Sequence, residues 1–274
     1  MKAARFDYVR AVDAADAVRC LGAGGPQTKI IAGGQSLGPM LNLRLARPDK
    51  LVDIRRAADL AAVAATADAV VYGAGITHAA FEDRLVPDAT PGWLAPIARG
   101  IAYRAVRNKG TIGGSVVHAD PAADWPTVLL ALGAEALTLG PAGPRAAPLA
   151  DFLVGPFQVA LAFDHLLTGL RLPKRGPHAR WGYWKFCRKT GEFAKAAAAV
   201  LHDPDRGETR AVIGAVERTP ILVPDAAELL ADPRAAADIV ARLAPERAPA
   251  AQRLHAEALE RAARLALAPQ EIAA

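Results

Sequence analysis

Two short glycine-rich stretches constrain this chain more than anything else in it. The first reads AGGQS over residues 32–36. It follows the apolar, strand-type run Lys29–Ala32 and leads into LGPMLNLRLARP, where Leu37, Met40, Leu41 and Leu45 keep helical spacing. The second lies within VRNKGTIGGSVVHADPAADWP, residues 106–126, where Gly110, Gly113 and Gly114 stand among small or polar neighbours. Glycine tolerates positive φ and lets bare main chain approach a ligand with no Cβ in the way. Successive amide N–H groups in such a bend form a nest for phosphate oxygens, and a following helix start adds partial positive charge. Asp120-Pro121 is an N-cap type followed by a residue suited to the first helical turn, so a helix is expected from there through Val128–Leu132 until Gly133. Plain tight turns use the same residues. What favours an anion site is recurrence: strand, glycine pair with polar neighbours, helix, twice in the first half of the chain. Neither stretch is a G-x-G-x-x-G fingerprint or ends in the Lys-Ser/Thr of a P-loop. Gly22–Gly25 comes after a helical run and reads as a helix C-cap.

Composition removes several classes. A chain of 274 residues can hold two domains, and 52% hydrophobic with 22% charged residues is ordinary for a globular protein. The net charge of +5, from 33 basic and 28 acidic residues, is scattered and leaves no nucleic-acid footprint. No window reaches the ~20 apolar residues of a membrane span. Arg5 and Asp7 interrupt any signal-peptide reading, and the sparse cysteines fit a cytoplasmic setting. Cys20 and Cys187 cannot supply the four thiolates of a protein-held iron–sulfur cluster, and no His/Cys/Asp/Glu group has metal-ligand spacing.

Strands are expected at Phe6–Val9, Leu51–Ile54, Val70–Tyr72, Glu135–Leu139, Leu166–Leu172, Phe193–His202 and Ala211–Val216. Helices are expected at Asp13–Leu21, Ala79–Leu85 with Thr77 as cap, Trp93–Tyr103, Ala226–Leu230, Arg234–Leu243 and Ala250–Leu267. The last carries a packing stripe of Leu254, Ala258, Leu259, Ala262 and Leu265. Residues 59–69 suit helix and strand equally, and KRGPHARWG at 174–182 reads as a linker.

AGGQS at 32–36, Asn108-Lys109-Gly110, TIGGS at 111–115, HADPAAD at 118–124, DHLLTGLRLP at 164–173 and YWKFCRKTGEFA at 183–194 occur in order. Together they resemble, over nearly the whole chain, the FAD-binding medium subunit of the molybdenum hydroxylases, the group of carbon monoxide dehydrogenase and xanthine dehydrogenase. The resemblance implies an α+β fold. A two-subdomain FAD-binding domain of the vanillyl-alcohol-oxidase type would span residues 1–176, split near 57. A small C-terminal domain of antiparallel sheet plus helices would span 177–274, like that of the carbon monoxide dehydrogenase flavoprotein.

By the same resemblance, Ala32, Gly33, Gly34, Gln35 and Ser36, with Leu37, cradle the FAD pyrophosphate through their amides. Gly110, Thr111, Ile112, Gly113, Gly114 and Ser115 form a second wall, although part of the family carries Asn where Ser115 stands. Asp124 falls where similar sequences place an acidic residue that reaches the cofactor; a cap on the helix running to Leu132 is the equal alternative. Lys185 falls near a flavin-side position, the alternative being a solvated basic face shared with Arg188 and Lys189. Ile101 and Leu167 match cofactor-lining positions, and apolar residues there also serve as plain core. His78 follows a glycine turn and is a further candidate for the cleft, against a packed or surface histidine.

The resemblance also implies partners: a large subunit with the molybdenum-pterin cofactor and a small subunit with two [2Fe-2S] clusters, in a dimer of heterotrimers. Electrons would pass through the clusters to FAD on this chain and on to an external acceptor. A stand-alone FAD-dependent oxidoreductase of the same fold is the alternative, and would need its own catalytic His, Tyr or Cys facing the flavin. A scaffold that has lost the flavin is a third reading, which the intact glycine stretches oppose.

Overall fold

The computed structural model describes residues 2–268. Met1 and the last residues of the expected 177–274 segment lie outside the described part. Three parallel strands come first: β1 (Asp7–Arg10), β2 (Thr28–Ile31) and β3 (Lys50–Asp53), in the order β1–β3–β2. Parallel neighbours need crossovers, and α1 (Ala14–Gly24) and α2 (Leu37–Asn42) supply them. The Asp13 carboxylate accepts the Asp16 N–H at 2.7 Å and so starts α1. Gly25 ends it at φ 70, donating its N–H to the Leu21 carbonyl, as a glycine C-cap should.

The ambiguous 59–69 segment becomes a tight 3-10 turn at Ala58–Ala61 and an edge strand, β4 (Val63–Ala65), paired antiparallel with β5 (Ala69–Gly73). Five helices follow: α3 (His78–Glu82), α4 (Leu94–Arg99), α5 (Arg104–Arg107), α6 (Ile112–His118) and α7 (Asp124–Ala131). Next come β6 (Glu135–Gly140), β7 (Gly143–Pro148), α8 (Leu149–Phe152), the small hairpin β8 (Leu153–Gly155) and β9 (Gln158–Val159), and β10 (Leu166–Pro173). The second sheet is antiparallel, in the order β4–β5–β10–β6–β7. Every residue of α7 is buried, from Asp124 to Ala131, so this helix is core rather than surface.

A third sheet, β11 (Arg180–Phe186), β12 (Ala196–Asp203), β13 (Glu208–Gly214) and β14 (Ile221–Leu222), is a plain antiparallel meander. Helices α9 (Ala227–Ala231), α10 (Ala236–Leu243) and α11 (Pro249–Leu267) complete the described chain. β12 is covered on both faces, which explains its AAAAVLHD sequence: small side chains let helices come close. Ala199 and Leu201 join the core around α7, while Ala196, Ala198 and Val200 join the core under α11. A Cβ on Gly182 would lie 1.8 Å from the Ala262 carbonyl oxygen, so α11 rests directly on β11. The α+β class is as expected.

Several boundaries move. Residues 174–182 are not a loose linker. Arg175 is buried, its guanidinium bonded to the Leu132 carbonyl and the Glu208 carboxylate, and β11 already begins at Arg180. The helix expected over Trp93–Tyr103 stops at Arg99, because Ala102 turns to φ 42 and breaks the helical path. The strand expected from Phe193 starts at Ala196. On α11, Ala258, Leu259 and Ala262 pack inward as expected, whereas Leu254 and Leu265 stay partly exposed and His255, Ala263 and Ala266 fill the seam.

Candidate cofactor cleft

Between the first sheet and the helices that follow β5 lies a cleft of about 850 Å³. That is toward the upper end of the roughly 300–1,000 Å³ usual for small-molecule and cofactor sites. The two glycine stretches meet at its base. A Cβ on Gly33 would sit 1.9 Å from the Lys109 carbonyl oxygen and 2.8 Å from the Gly110 Cα, so main chain packs directly on main chain. Gly34, at φ +69, turns the first stretch along the cleft.

The two stretches use their amides in opposite ways. Among the described residues, the N–H groups of Gly33, Gly34, Gln35, Ser36 and Leu37 donate to no protein acceptor, and all of these residues line the cleft. Apart from Gln35 these residues are half-buried, where amides are normally paired, so the run offers donors to an acceptor in the cleft. In the second stretch the amides of residues 112–115 are committed. Ile112 donates to the Ile76 carbonyl at 2.9 Å and Gly113 to the Ala74 carbonyl at 3.0 Å. Gly114 donates to the Thr111 hydroxyl at 3.0 Å and Ser115 to the Thr111 carbonyl at 3.0 Å.

The expected wall of donors at 111–115 is therefore a floor made of the first turn of α6, capped by Thr111. Gly113 is required for fit: a Cβ there would lie 2.4 Å from the Ala74 Cβ. Gly110, Thr111, Gly113, Gly114 and Ser115 reach the cleft, whereas Ile112 is fully buried in the core beneath. The helix expected from Asp120-Pro121 also moves. The Asp120 carboxylate accepts the Ala122 N–H at 2.9 Å and closes a turn, and α7 starts only at Asp124.

Asp124 lines the cleft with its side chain almost wholly buried. Its Oδ1 accepts the Tyr183 hydroxyl at 2.7 Å and the Lys185 ammonium at 2.6 Å. Lys185 stands behind Asp124, bonded also to the Gly100 carbonyl at 2.8 Å, rather than on the cleft surface. It therefore forms neither a solvated basic face nor a direct lining residue. Burial, and then the neighbouring Asp124 charge, push the Tyr183 phenol well above its ordinary range, so it is a fixed donor.

Ile101 and Leu167 both line the cleft. The 101–102 turn is held from behind by Arg107, whose Nη1 donates to the Ile101 and Ala102 carbonyls at 2.9 and 3.0 Å, and Arg107 is itself paired with Glu82 at 2.7 Å. His78 lines the cleft but is a packed residue. Its Nδ1 accepts the Trp125 indole N–H at 3.0 Å, which leaves the ring proton on Nε2. Burial, then the Arg107 charge, pull its pKa down to about 4, so the ring is neutral. The sequence reading missed Tyr183, and also Phe157 and Phe193, exposed aromatics at the cleft edge. Only the YWKFCRKTGEFA segment as a whole pointed to the first and last of these.

Residues 4–175 match the family described as the FAD binding domain in molybdopterin dehydrogenase. The chain belongs to this family. It is an FAD-binding medium subunit of the molybdenum hydroxylase class of multi-subunit oxidoreductases. It is 35% identical over 235 residues to the nicotine 6-hydroxylase medium subunit of Paenarthrobacter nicotinovorans, covering 85% of this chain and 80% of that protein. The carbon monoxide dehydrogenase of Hydrogenophaga pseudoflava, solved without the Mo-pyranopterin moiety of its molybdenum cofactor, is similar throughout. Its TM-score is 0.91 at 31% identity, over 97% of this chain and 99% of that one. Quinoline 2-oxidoreductase from Pseudomonas putida 86 superposes with a TM-score of 0.86 at 30% identity, over 97% and 98%. Among the described residues of the medium subunit no group of three or more His, Cys, Asp or Glu side chains could hold a metal, and no helix is long and apolar enough to cross a membrane.

Proposed function

We propose that this medium subunit relays electrons within its complex. It would take them from [2Fe-2S] clusters of a small partner subunit and deliver them through FAD to an external acceptor, the oxidation itself occurring at a molybdenum-pterin cofactor on a large subunit. The observation that carries the reading is the run of uncommitted amides at 33–37 along a cleft large enough for a dinucleotide. A pyrophosphate offers the oxygens those donors lack, and the turn at Gly34, φ +69, runs the amides along the cleft. FAD, when bound, supplies the redox chemistry, accepting electrons one at a time and releasing them singly or in pairs.

The chain's own residues bind, orient and shield. The 33–37 amides take the pyrophosphate. Gly114 and Ser115 leave a smooth floor, with the Ser115 hydroxyl as a short donor where relatives carry Asn. Ile101 and Leu167 provide apolar contact. Asp124 Oδ2, which has no protein partner among the described residues, is an acceptor for a ribityl or ribose hydroxyl. The neutral His78 adds no charge beside the cofactor. The reading includes an FAD-binding domain over 1–176 in two subdomains, a C-terminal domain over 177–274, a cytoplasmic setting and a dimer of heterotrimers. Titrating the chain, alone and co-expressed with its partners, with FAD while following quenching of flavin fluorescence tests it. Saturation near one FAD per chain is expected; absence of binding in both forms sinks the reading.

A further inference from the structure

β11 lies beyond the 4–175 segment that matches the FAD-binding family, yet its side chains reach into the cleft's wall. Successive residues of a strand point to opposite faces, and here the faces have different jobs. Gly182 and Trp184 face α11: Gly182 has no room for a Cβ against Ala262, and Trp184 lies under the Arg261 guanidinium, 4.6 Å from its ring centre. Trp181, Tyr183 and Lys185 face the other way. Trp181 stacks on Trp93 with ring centres 5.2 Å apart, fixing the strand against the start of α4. Tyr183 and Lys185 then converge on one oxygen of Asp124.

We infer that Tyr183 and Lys185 are positioning residues that aim the Asp124 carboxylate into the cofactor cleft, so that β11 completes a site otherwise built by residues 4–175. The inference rests on the FAD reading above and assigns to β11 a part in it. Oδ1 of Asp124 is occupied by both donors, which leaves Oδ2 as the oxygen free for a ligand. A carboxylate with one oxygen clamped by two donors cannot rotate about its terminal torsion without breaking both bonds. Lys185 also donates to the Gly100 carbonyl, next to Ile101 on the cleft surface, so one ammonium sets two lining elements at once. The phenol of Tyr183 has no ionised form to compete with this role, since burial keeps its proton on. The Lys185 and Asp124 charges cancel, and the clamp presents no net charge to the cleft.

The test uses the full chain co-expressed with its partner subunits, with two readouts: FAD affinity by fluorescence quenching and flavin midpoint potential. Tyr183→Phe should weaken FAD binding about tenfold, the scale of one hydrogen bond to a charged group. In an Asp124→Asn background the same Tyr183→Phe change should alter affinity by less than about twofold, because residues acting through one partner are non-additive. Lys185→Met leaves a lone negative charge and should lower the midpoint potential, whereas Asp124→Asn leaves a lone positive charge and should raise it. Lys185→Arg, which keeps the charge, should hold the potential of the parent. A merely structural role would reduce affinity additively and give no opposed potential shifts. Wild-type affinity in Tyr183→Phe, multiplying effects in the double variant, or potentials that move the same way would each overturn the inference while leaving the FAD reading intact. A parent complex that takes up no FAD would overturn the FAD reading, and this inference with it.

Discussion

The stretches AGGQS and TIGGS are nearly interchangeable as strings, yet the fold uses their amides in opposite ways. At 32–36 the amide donors stay free along the cleft, with Gly33 packed on the Lys109 carbonyl and Gly34 turning at φ +69. At 112–115 the amides are all occupied, by Ile76, Ala74 and Thr111, and Gly113 packs closely on Ala74. Gly113 has its neighbour inside contact distance on the Ala74 side, whereas Gly114 stands exposed toward the cleft with only the Thr111 hydroxyl near it. A glycine pair therefore signals bare backbone without saying whether a ligand or another strand of the protein will lie against it.

The largest effects should separate the two glycines of the second stretch. Gly113→Val forces a side chain into Ala74 and should cost about 3 kcal/mol of stability or prevent folding, overpacking with no flexible neighbour to yield. Gly114→Leu should lose only about 1 kcal/mol in urea unfolding, close to an ordinary surface or cap change. Its FAD affinity should fall by about a hundredfold, some 3 kcal/mol of binding. Similar stability losses in both variants would show that the floor is not divided in this way.

Beneath that floor, His78 gives a pH effect. Its folded pKa of about 4 lies below the ordinary 6.5, so the unfolded chain binds the proton first. Its contribution to stability is complete above pH 6.5 and is lost as the pH falls toward 4, on the order of 3 kcal/mol in all. Unfolding curves of the parent and His78→Gln at pH 7 and pH 4.5 check this, the parent being expected to lose more. Equal losses would mean that the imidazole is not held neutral. The smallest contrast compares equivalent positions in the two stretches. Thr111→Ala removes the α6 cap and should cost about 1 kcal/mol. Ser36 makes no side-chain cap, so Ser36→Ala should change stability by less than about 0.5 kcal/mol.

Much of the cleft was legible because close backbone approach leaves a mark in sequence: Gly33, Gly34, Gly110, Gly113 and Gly114 all line it. Ala32, Gln35, Ser36, Leu37, Ile101, Thr111, Ser115, Asp124 and Leu167 line it as well. Ile112 does not line the cleft, its side chain being buried in the core beneath the same helical turn. The place of Lys185 behind Asp124 was not legible, because its partners Asp124 and Gly100 lie more than sixty residues away in sequence. The start of α7 was misplaced because Asp120 had two local uses for its carboxylate, and the Ala122 N–H was the one made.

The sequence by itself determined the alternation of strands and helices and the place of both glycine stretches, since hydrophobic periodicity and glycine punctuation are local properties of the chain, while the α+β class came with the family resemblance. Only the tertiary structure decided which stretch keeps its amides free, that α7 is buried end to end between two sheets, and that β11 holds Asp124 from outside the first 175 residues. The reason is one of pairing. Whether an N–H or a carboxylate oxygen is free depends on what the rest of the chain brings to it, and that partner is distant in sequence.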